Sequence, residues 1–148
     1  MDYHIEELIA EEKLHERIKE LADEINKDYA GSKLHLIVIL KGSVFFACEL
    51  AKHLTMPVTM DFMSISSYGD GMVSAGEITV KKELDEDISG RDVLIVEDIL
   101  DSGVTVYNLR ILLLARNPKC LKIVSLLDKK GSHKAQVNLD YCGFEIPD

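Results

Sequence analysis

The sequence has no apolar run approaching the ~18–20 residues that a helix needs to cross a bilayer, which excludes a membrane-spanning protein. Its amino-terminal stretch, MDYHIEELIAEEKLHERIKE, is acidic and has no apolar signal core, which argues against secretion and for a cytoplasmic protein. Cysteine is scarce. Cys48, Cys120 and Cys142 are an odd number without CxxC or metal-like spacing, and they read as buried free thiols in a reducing compartment. Positive charge is in deficit: 17 basic side chains against 26 acidic ones leave a formal net charge of −9, which disfavours non-specific binding to nucleic acid. Any anionic ligand must then be held by local amides, a few cations or a metal, against the average field. Neither GxxxxGK[ST] nor GxGxxG occurs, so a Walker nucleotidase or a dinucleotide fold has no support. The five histidines show no HExxH or metal spacing and read as structural or surface groups. No low-complexity tract, internal repeat or interdomain linker breaks the 148 residues, which fit one domain.

What is present alternates in period. Over residues 4–28, Ile5, Leu8, Ile9, Leu14, Ile18, Leu21, Ala22 and Ile25 recur at threes and fours, which predicts an amphipathic helix. Leu34–Leu40 is an almost continuous apolar run rich in β-branched residues, as suits a strand buried on both faces of a parallel sheet. Lys41-Gly42-Ser43 breaks it, and Val44–Leu54 reads as a helix packing back on the sheet. A second extended stretch, VTMDFMSISS, follows Pro57, and Glu77–Lys82 is expected to pair with it as a hairpin. Between them the polar, glycine-rich residues 68–76 read as a mobile loop. Asp92–Val96 is a further buried-strand pattern that ends at Glu97-Asp98. A helix is predicted over Val104–Arg116, then a strand over Leu121–Leu127 and an extended piece near Val137–Phe144. Strand, helix, strand, helix, strand with short connections implies an α/β fold with a mainly parallel sheet. Function should sit at the carboxyl ends of the strands, where every one of these polar breaks falls.

The densest chemistry lies in Val96-Glu97-Asp98-Ile99-Leu100-Asp101-Ser102-Gly103-Val104-Thr105. An apolar strand delivers adjacent carboxylates, then a short loop with a carboxylate, two hydroxyls and a glycine, then a helix. Amides in the first turn of such a helix lack intrahelical acceptors and carry the positive end of its dipole. With Gly103 allowing close approach and Ser102 and Thr105 able to donate, the string is a phosphate cradle of the kind found at helix N-termini. Taken singly, Asp101 or Ser102 reads as a helix cap and the acid pair as solvated side chains. Taken together, the two carboxylates repel one another at a strand end, and a hydroxylated ligand or hydrated cation would relieve them.

That string resembles the phosphoribosyl-diphosphate signature of the type I phosphoribosyltransferases, and more narrowly the hypoxanthine (hypoxanthine-guanine) phosphoribosyltransferases. The likeness runs through LKGS at 40–43, MDFMSISSYG at 60–69, VEDILDSGVT at 96–105, SLLDKK at 125–130 and DYCGFEIPD at 140–148. It implies a mainly parallel twisted sheet flanked by helices, with a small hood from the chain ends. It also implies transfer of a 5-phosphoribosyl group to N9 of a 6-oxopurine with Mg²⁺ as cofactor, in purine salvage. By the same resemblance Glu97 and Asp98 meet the ribose hydroxyls, directly or through Mg²⁺. Asp101, Ser102, Gly103, Val104 and Thr105 form the 5′-phosphate loop, with Asp101 the catalytic base near purine N7. Lys41 and Gly42 match the diphosphate loop, whose Leu40–Lys41 peptide is often cis in the family. Lys129 matches the donor to the purine O6, Tyr141 the aromatic that stacks on the base, and the backbone of Cys142 borders the base edge. Asp148 matches a carboxylate on a second Mg²⁺, and Ser67 and Tyr68 open the mobile catalytic loop.

In the family the chain runs on past GFEIPD into another strand, so the 148 residues are expected to lack a C-terminal segment of that single domain. A homodimer or homotetramer is implied, with phosphoribosyl diphosphate and a 6-oxopurine as ligands and neither nucleic acid nor membrane as partner. Two other readings stay open on residues alone. One is a related enzyme that takes xanthine or a pyrimidine. The other is a non-catalytic regulator of the same fold that binds nucleotide or RNA.

Overall fold

The computed structural model describes residues 9–67 and 78–147. Its centre is β1 (Leu34–Ile39), buried at all six positions. Side chains of a strand alternate between faces, so a strand apolar throughout needs cover on both. That is what surrounds it. On one face Leu36, Val38, Leu94 and Val96 pack under α1 (Glu11–Asp28) and α2 (Val44–Ala51), through Ile18, Leu21 and Ile25 of the first and Phe46 and Leu50 of the second. On the other, Ile37, Ile39, Ile95 and Ile123 meet Val106, Leu109 and Leu113 of α3 (Val104–Leu114). Each such fully buried aliphatic side chain contributes roughly 1.5–3 kcal/mol.

The remaining strands are β2 (Val58–Ser67), β3 (Ile78–Lys82), β4 (Asp92–Leu100), β5 (Cys120–Asp128) and β6 (Tyr141–Glu145). They lie in the order β3-β2-β1-β4-β5-β6. Every pairing is parallel except β2 with β3, the hairpin expected from the sequence. The chain winds outward from β1 towards β2, then returns to the centre at β4 and winds the other way. Connections leaving the carboxyl ends of β1 and β4 therefore diverge to opposite faces and leave a crevice between them, the usual place for a ligand in such sheets.

The clearest departure from expectation is a strand end. β4 continues four residues beyond Val96, because β5 runs beside it and pairs Glu97 with Ser125, Ile99 with Leu127 and Leu100 with Asp128. The acid pair thus belongs to the strand rather than to the loop after it. The thiols also depart from expectation: Cys48 is exposed, Cys120 and Cys142 are half-buried, and all three are free. Among the described residues no helix is long and apolar enough to cross a membrane. The first helix begins at Glu11, later than predicted, with Ala10 extended ahead of it; residues 4–8 of that prediction, the expected hood and the glycine-rich loop fall outside the described residues.

Candidate functional site

At the crevice the two adjacent carboxyl groups lie close enough to interact directly. Asp98 packs on Gly42, where a methyl group would stand 2.7 Å from its Oδ2 and would push the carboxylate aside. Glu97 turns towards α3 and lines a cavity of about 240 Å³ shared with Asp101, Ser102, Gly103 and Thr105. Ser43, wholly buried, ties the halves together. Its hydroxyl donates to Glu97 Oε1 at 3.2 Å and accepts the N–H of Asp98 at 3.0 Å. The loop leaving β1 is thereby fastened to the end of β4. The Leu40–Lys41 peptide within it is cis, as the resemblance implied, and Lys41 is exposed over the crevice.

Electrostatics at this point are unbalanced. Burial first, and the neighbouring charge of Asp98 second, push the Glu97 carboxyl from its ordinary value of 4.5 up to about 8, with the Ser43 hydrogen bond opposing them. No basic side chain pairs with either carboxylate among the described residues.

The turn from β4 into α3 is held from two sides. Gly103 has φ +81°, a conformation that side-chain-bearing residues resist, and its Cα faces Val137 and the Ala135 carbonyl. Ser102 accepts the N–H of Val104 on its hydroxyl at 3.3 Å and those of Lys134 and Ala135 on its carbonyl at 2.7 and 3.3 Å. Val104 is buried, Thr105 half-buried, and Asp101 projects into solvent at the mouth. Beside it, the N–H of Lys129 donates to the Leu100 carbonyl at 2.9 Å, which sets Lys129 next to Asp101 at the strand ends. Buried Asp128, joined to His133 Nε2 at 2.6 Å, holds the turn that displays Lys129.

Two expected site residues are not brought here. Tyr141 sits at the amino end of β6, 4% exposed in the core under α1. Its hydroxyl donates to Asp28, and burial with that hydrogen bond pushes the phenol up. A ring so covered has no free face for a base; β6 pairs Tyr141 with Val124, well before the end of β5. The main chain of Cys142 is likewise committed, since its carbonyl accepts Arg17 Nη2 at 2.7 Å and the residue pairs with Ser125 in the ladder. Ser67 ends β2 at the same edge of the sheet, while Tyr68 and Asp148 lie outside the described residues. Ser43 and Asp128, which hold the loop and the turn around the crevice, have no part in the sequence reading. The first had a signal, a hydroxyl directly after Lys41-Gly42; the second had none beyond its place before Lys129.

A doubly wound sheet with an acid pair and a glycine turn gathered where its winding reverses defines an α/β protein that binds its ligand at the carboxyl edge. The chain matches the phosphoribosyl transferase domain model over residues 4–148, and it belongs to that family. It is 45% identical over 150 residues to the hypoxanthine phosphoribosyltransferase of Buchnera aphidicola subsp. Schizaphis graminum, covering 100% of this chain and 85% of that protein. It is 44% identical over 149 residues to the hypoxanthine-guanine phosphoribosyltransferase of Bacillus subtilis, covering 100% of this chain and 83% of that one. A crystal structure of a hypoxanthine-guanine phosphoribosyltransferase from Bacillus anthracis superposes with a TM-score of 0.88 at 41% identity, over 95% of this chain and 80% of that chain. None of these relatives is a non-catalytic regulator, and that reading finds no support.

Proposed function

We propose that this protein transfers the 5-phosphoribosyl group of phosphoribosyl diphosphate to N9 of hypoxanthine, and of guanine, forming IMP or GMP in purine salvage. The observation that carries the reading is the Ser43 bridge, which joins the loop at 40–43 to the acid pair beside the glycine turn. A ligand with a phosphate at one end, a diol in the middle and a diphosphate at the other matches those three parts in order.

The turn at 101–105 takes the 5′-phosphate on its amides and hydroxyls, with the positive end of α3 behind it. Glu97 and Asp98 take the ribose hydroxyls, and Lys41 with the amides of its loop takes the diphosphate. In the chemical step the C1′–O bond to diphosphate breaks and the N9–C1′ bond forms. The proton lost from the purine passes to the Asp101 carboxylate. Lys129, on the same rim, donates to the purine O6 and so favours oxopurines over aminopurines. Ser67 and Tyr68 lead into a segment that closes over the site and keeps water from the oxocarbenium-like sugar. Asp148 is proposed as a further metal ligand on the diphosphate.

The acid pair fits magnesium. Its oxygens are hard donors, it lacks a cation, and among the described residues no three His, Cys, Asp or Glu side chains converge on one point. Magnesium suits such a partial site, because it keeps waters and completes its shell from substrate oxygens. When bound it offsets the charge of the leaving diphosphate. A cytoplasmic homodimer or homotetramer completes the proposal, and Phe45, 88% exposed beside Gly42, is a suitable apolar contact between copies.

The direct test mixes the protein with phosphoribosyl diphosphate, Mg²⁺ and one base at a time, following ultraviolet absorbance. Hypoxanthine and guanine should be converted, adenine and uracil left alone. No nucleotide from either oxopurine would overturn the proposal.

A further inference from the structure

β6 stands at the edge of the sheet, with β5 beside it on one side only. Arg17, from the second turn of α1, reaches its main chain. Nε donates to the Gly143 carbonyl at 2.8 Å and Nη2 to the Cys142 carbonyl at 2.7 Å, so one guanidinium fork takes two successive carbonyls. The third nitrogen, Nη1, donates to Glu20 at 3.0 Å and lies 3.5 Å from Glu24, which steadies the fork from its own helix.

In a regular strand successive carbonyls point to opposite edges, so two of them on one cation require a turned backbone. The turn is at Gly143. Pairing with β5 skips it, running from Cys142 with Ser125 to Phe144 with Leu127. A methyl group at 143 would collide with the Leu126 carbonyl oxygen, the close backbone approach that a glycine inside a strand permits.

Beyond the turn, β6 lies along the end of β5. Glu145 pairs with Asp128, the N–H of Ile146 donates to the Asp128 carbonyl at 2.9 Å, and Glu145 meets Lys130 Nζ at 2.8 Å. Lys129 is therefore held from both sides: its own amide by Leu100 of β4, and both its sequence neighbours by β6.

We propose that Arg17 is a positioning residue for the purine. By drawing the Cys142 and Gly143 carbonyls towards α1 it turns β6, sets residues 144–146 against Asp128, and fixes the place from which Lys129 reaches the purine O6. This rests on the role of Lys129 proposed above and deepens it, because it ties affinity for the base to a side chain of α1. Affinity for phosphoribosyl diphosphate is left apart from it, since Glu97, Asp98 and the turn at 101–105 belong to β4 and its exit, with β5 between them and β6.

The test compares the whole protein with Arg17→Ala, Arg17→Lys and Gly143→Ala in steady-state assays. Arg17→Ala should raise the KM for hypoxanthine roughly tenfold and leave the KM for phosphoribosyl diphosphate within about twofold. Arg17→Lys, which restores the charge without the fork, should recover part of that loss. Gly143→Ala disturbs the same turn from the other side and should separate the two constants in the same direction; it and Arg17→Lys carry the comparison if Arg17→Ala misfolds. A merely structural contact would lower the folded fraction, and with it the apparent kcat, without separating the two constants. Both constants unmoved, or both raised alike, would overturn the proposal. Residue-resolved NMR without substrate gives the second readout: the amides of Lys129 and of residues 144–146 should shift in the Arg17 variants while those of 102–105 stay in place. Shifts confined to α1 and residues 142–143 would overturn it as well. Because that readout needs no turnover, loss of this coupling is distinguishable from failure of the proposed function, in which the wild type itself converts neither oxopurine.

Discussion

Ser43 holds a carboxylate oxygen of Glu97 and the amide of Asp98 at once. Ser43→Ala removes the shorter of that amide's two hydrogen bonds, the other being to Glu97 Oε1 at 3.3 Å, and should cost roughly 0.5–1.5 kcal/mol. Turnover should fall with it, while Ser43→Thr, which keeps the hydroxyl, should recover most of both; equal behaviour of the two variants in melting and turnover assays would refute the bridging role. Glu97 makes a pH prediction of definite sign. Unfolded, its carboxyl titrates near 4.5; folded, at about 8. Between those values the folded protein holds a proton that the unfolded chain has released, so this group's contribution to stability falls as pH rises from about 4.5 to about 8 and then levels off. Melting temperatures across that range in chelator should decline more steeply for the wild type than for Glu97→Gln. Parallel curves would show that the carboxyl titrates normally.

The elements owe their placement to polar anchors as much as to apolar burial. Asp61, 2% exposed on β2, accepts the N–H groups of Phe62, Asp85 and Glu86 at 2.8, 2.9 and 3.0 Å, and so pins the segment after β3 beneath the sheet. Asp61→Ala strands those donors and should cost about 3 kcal/mol or more, read as a lower urea midpoint. At the β4–α3 turn, Gly103→Ala should cost roughly 1–2 kcal/mol for its left-handed backbone and move the turn away from Val137. Phosphoribosyl diphosphate binding, measured by calorimetry, should weaken more than the fold does. The hydrophobic pattern made most of these elements legible, and β2 runs over the residues its alternation marked. The end of β4 was hidden, because its acid pair looks like a loop until β5 is known to lie alongside.

For the whole molecule, the exposed ring of Phe45 near the crevice gives the oligomer a test. Phe45→Glu should shift sedimentation towards the monomer with the far-ultraviolet spectrum intact, and an unchanged sedimentation coefficient would remove this face from the interface. The strand order also explains why one end of the molecule carries the proposed chemistry. Both central strands point their carboxyl ends at the place where the winding reverses, so residues 40–43 and 97–105, distant in sequence, become neighbours.

Local chemistry in the sequence determined the period of each element, the apolar filling of the central strands and the residue types of the glycine turn, because those depend on near neighbours along the chain. Tertiary structure alone decided that Ser43 joins Glu97 and Asp98, and that Tyr141 and the Cys142 carbonyl turn to α1 instead of the crevice. These outcomes rest on partners far away in sequence, Ser43 with Glu97 and Tyr141 with Asp28, whose meeting depends on how the sheet is wound and covered.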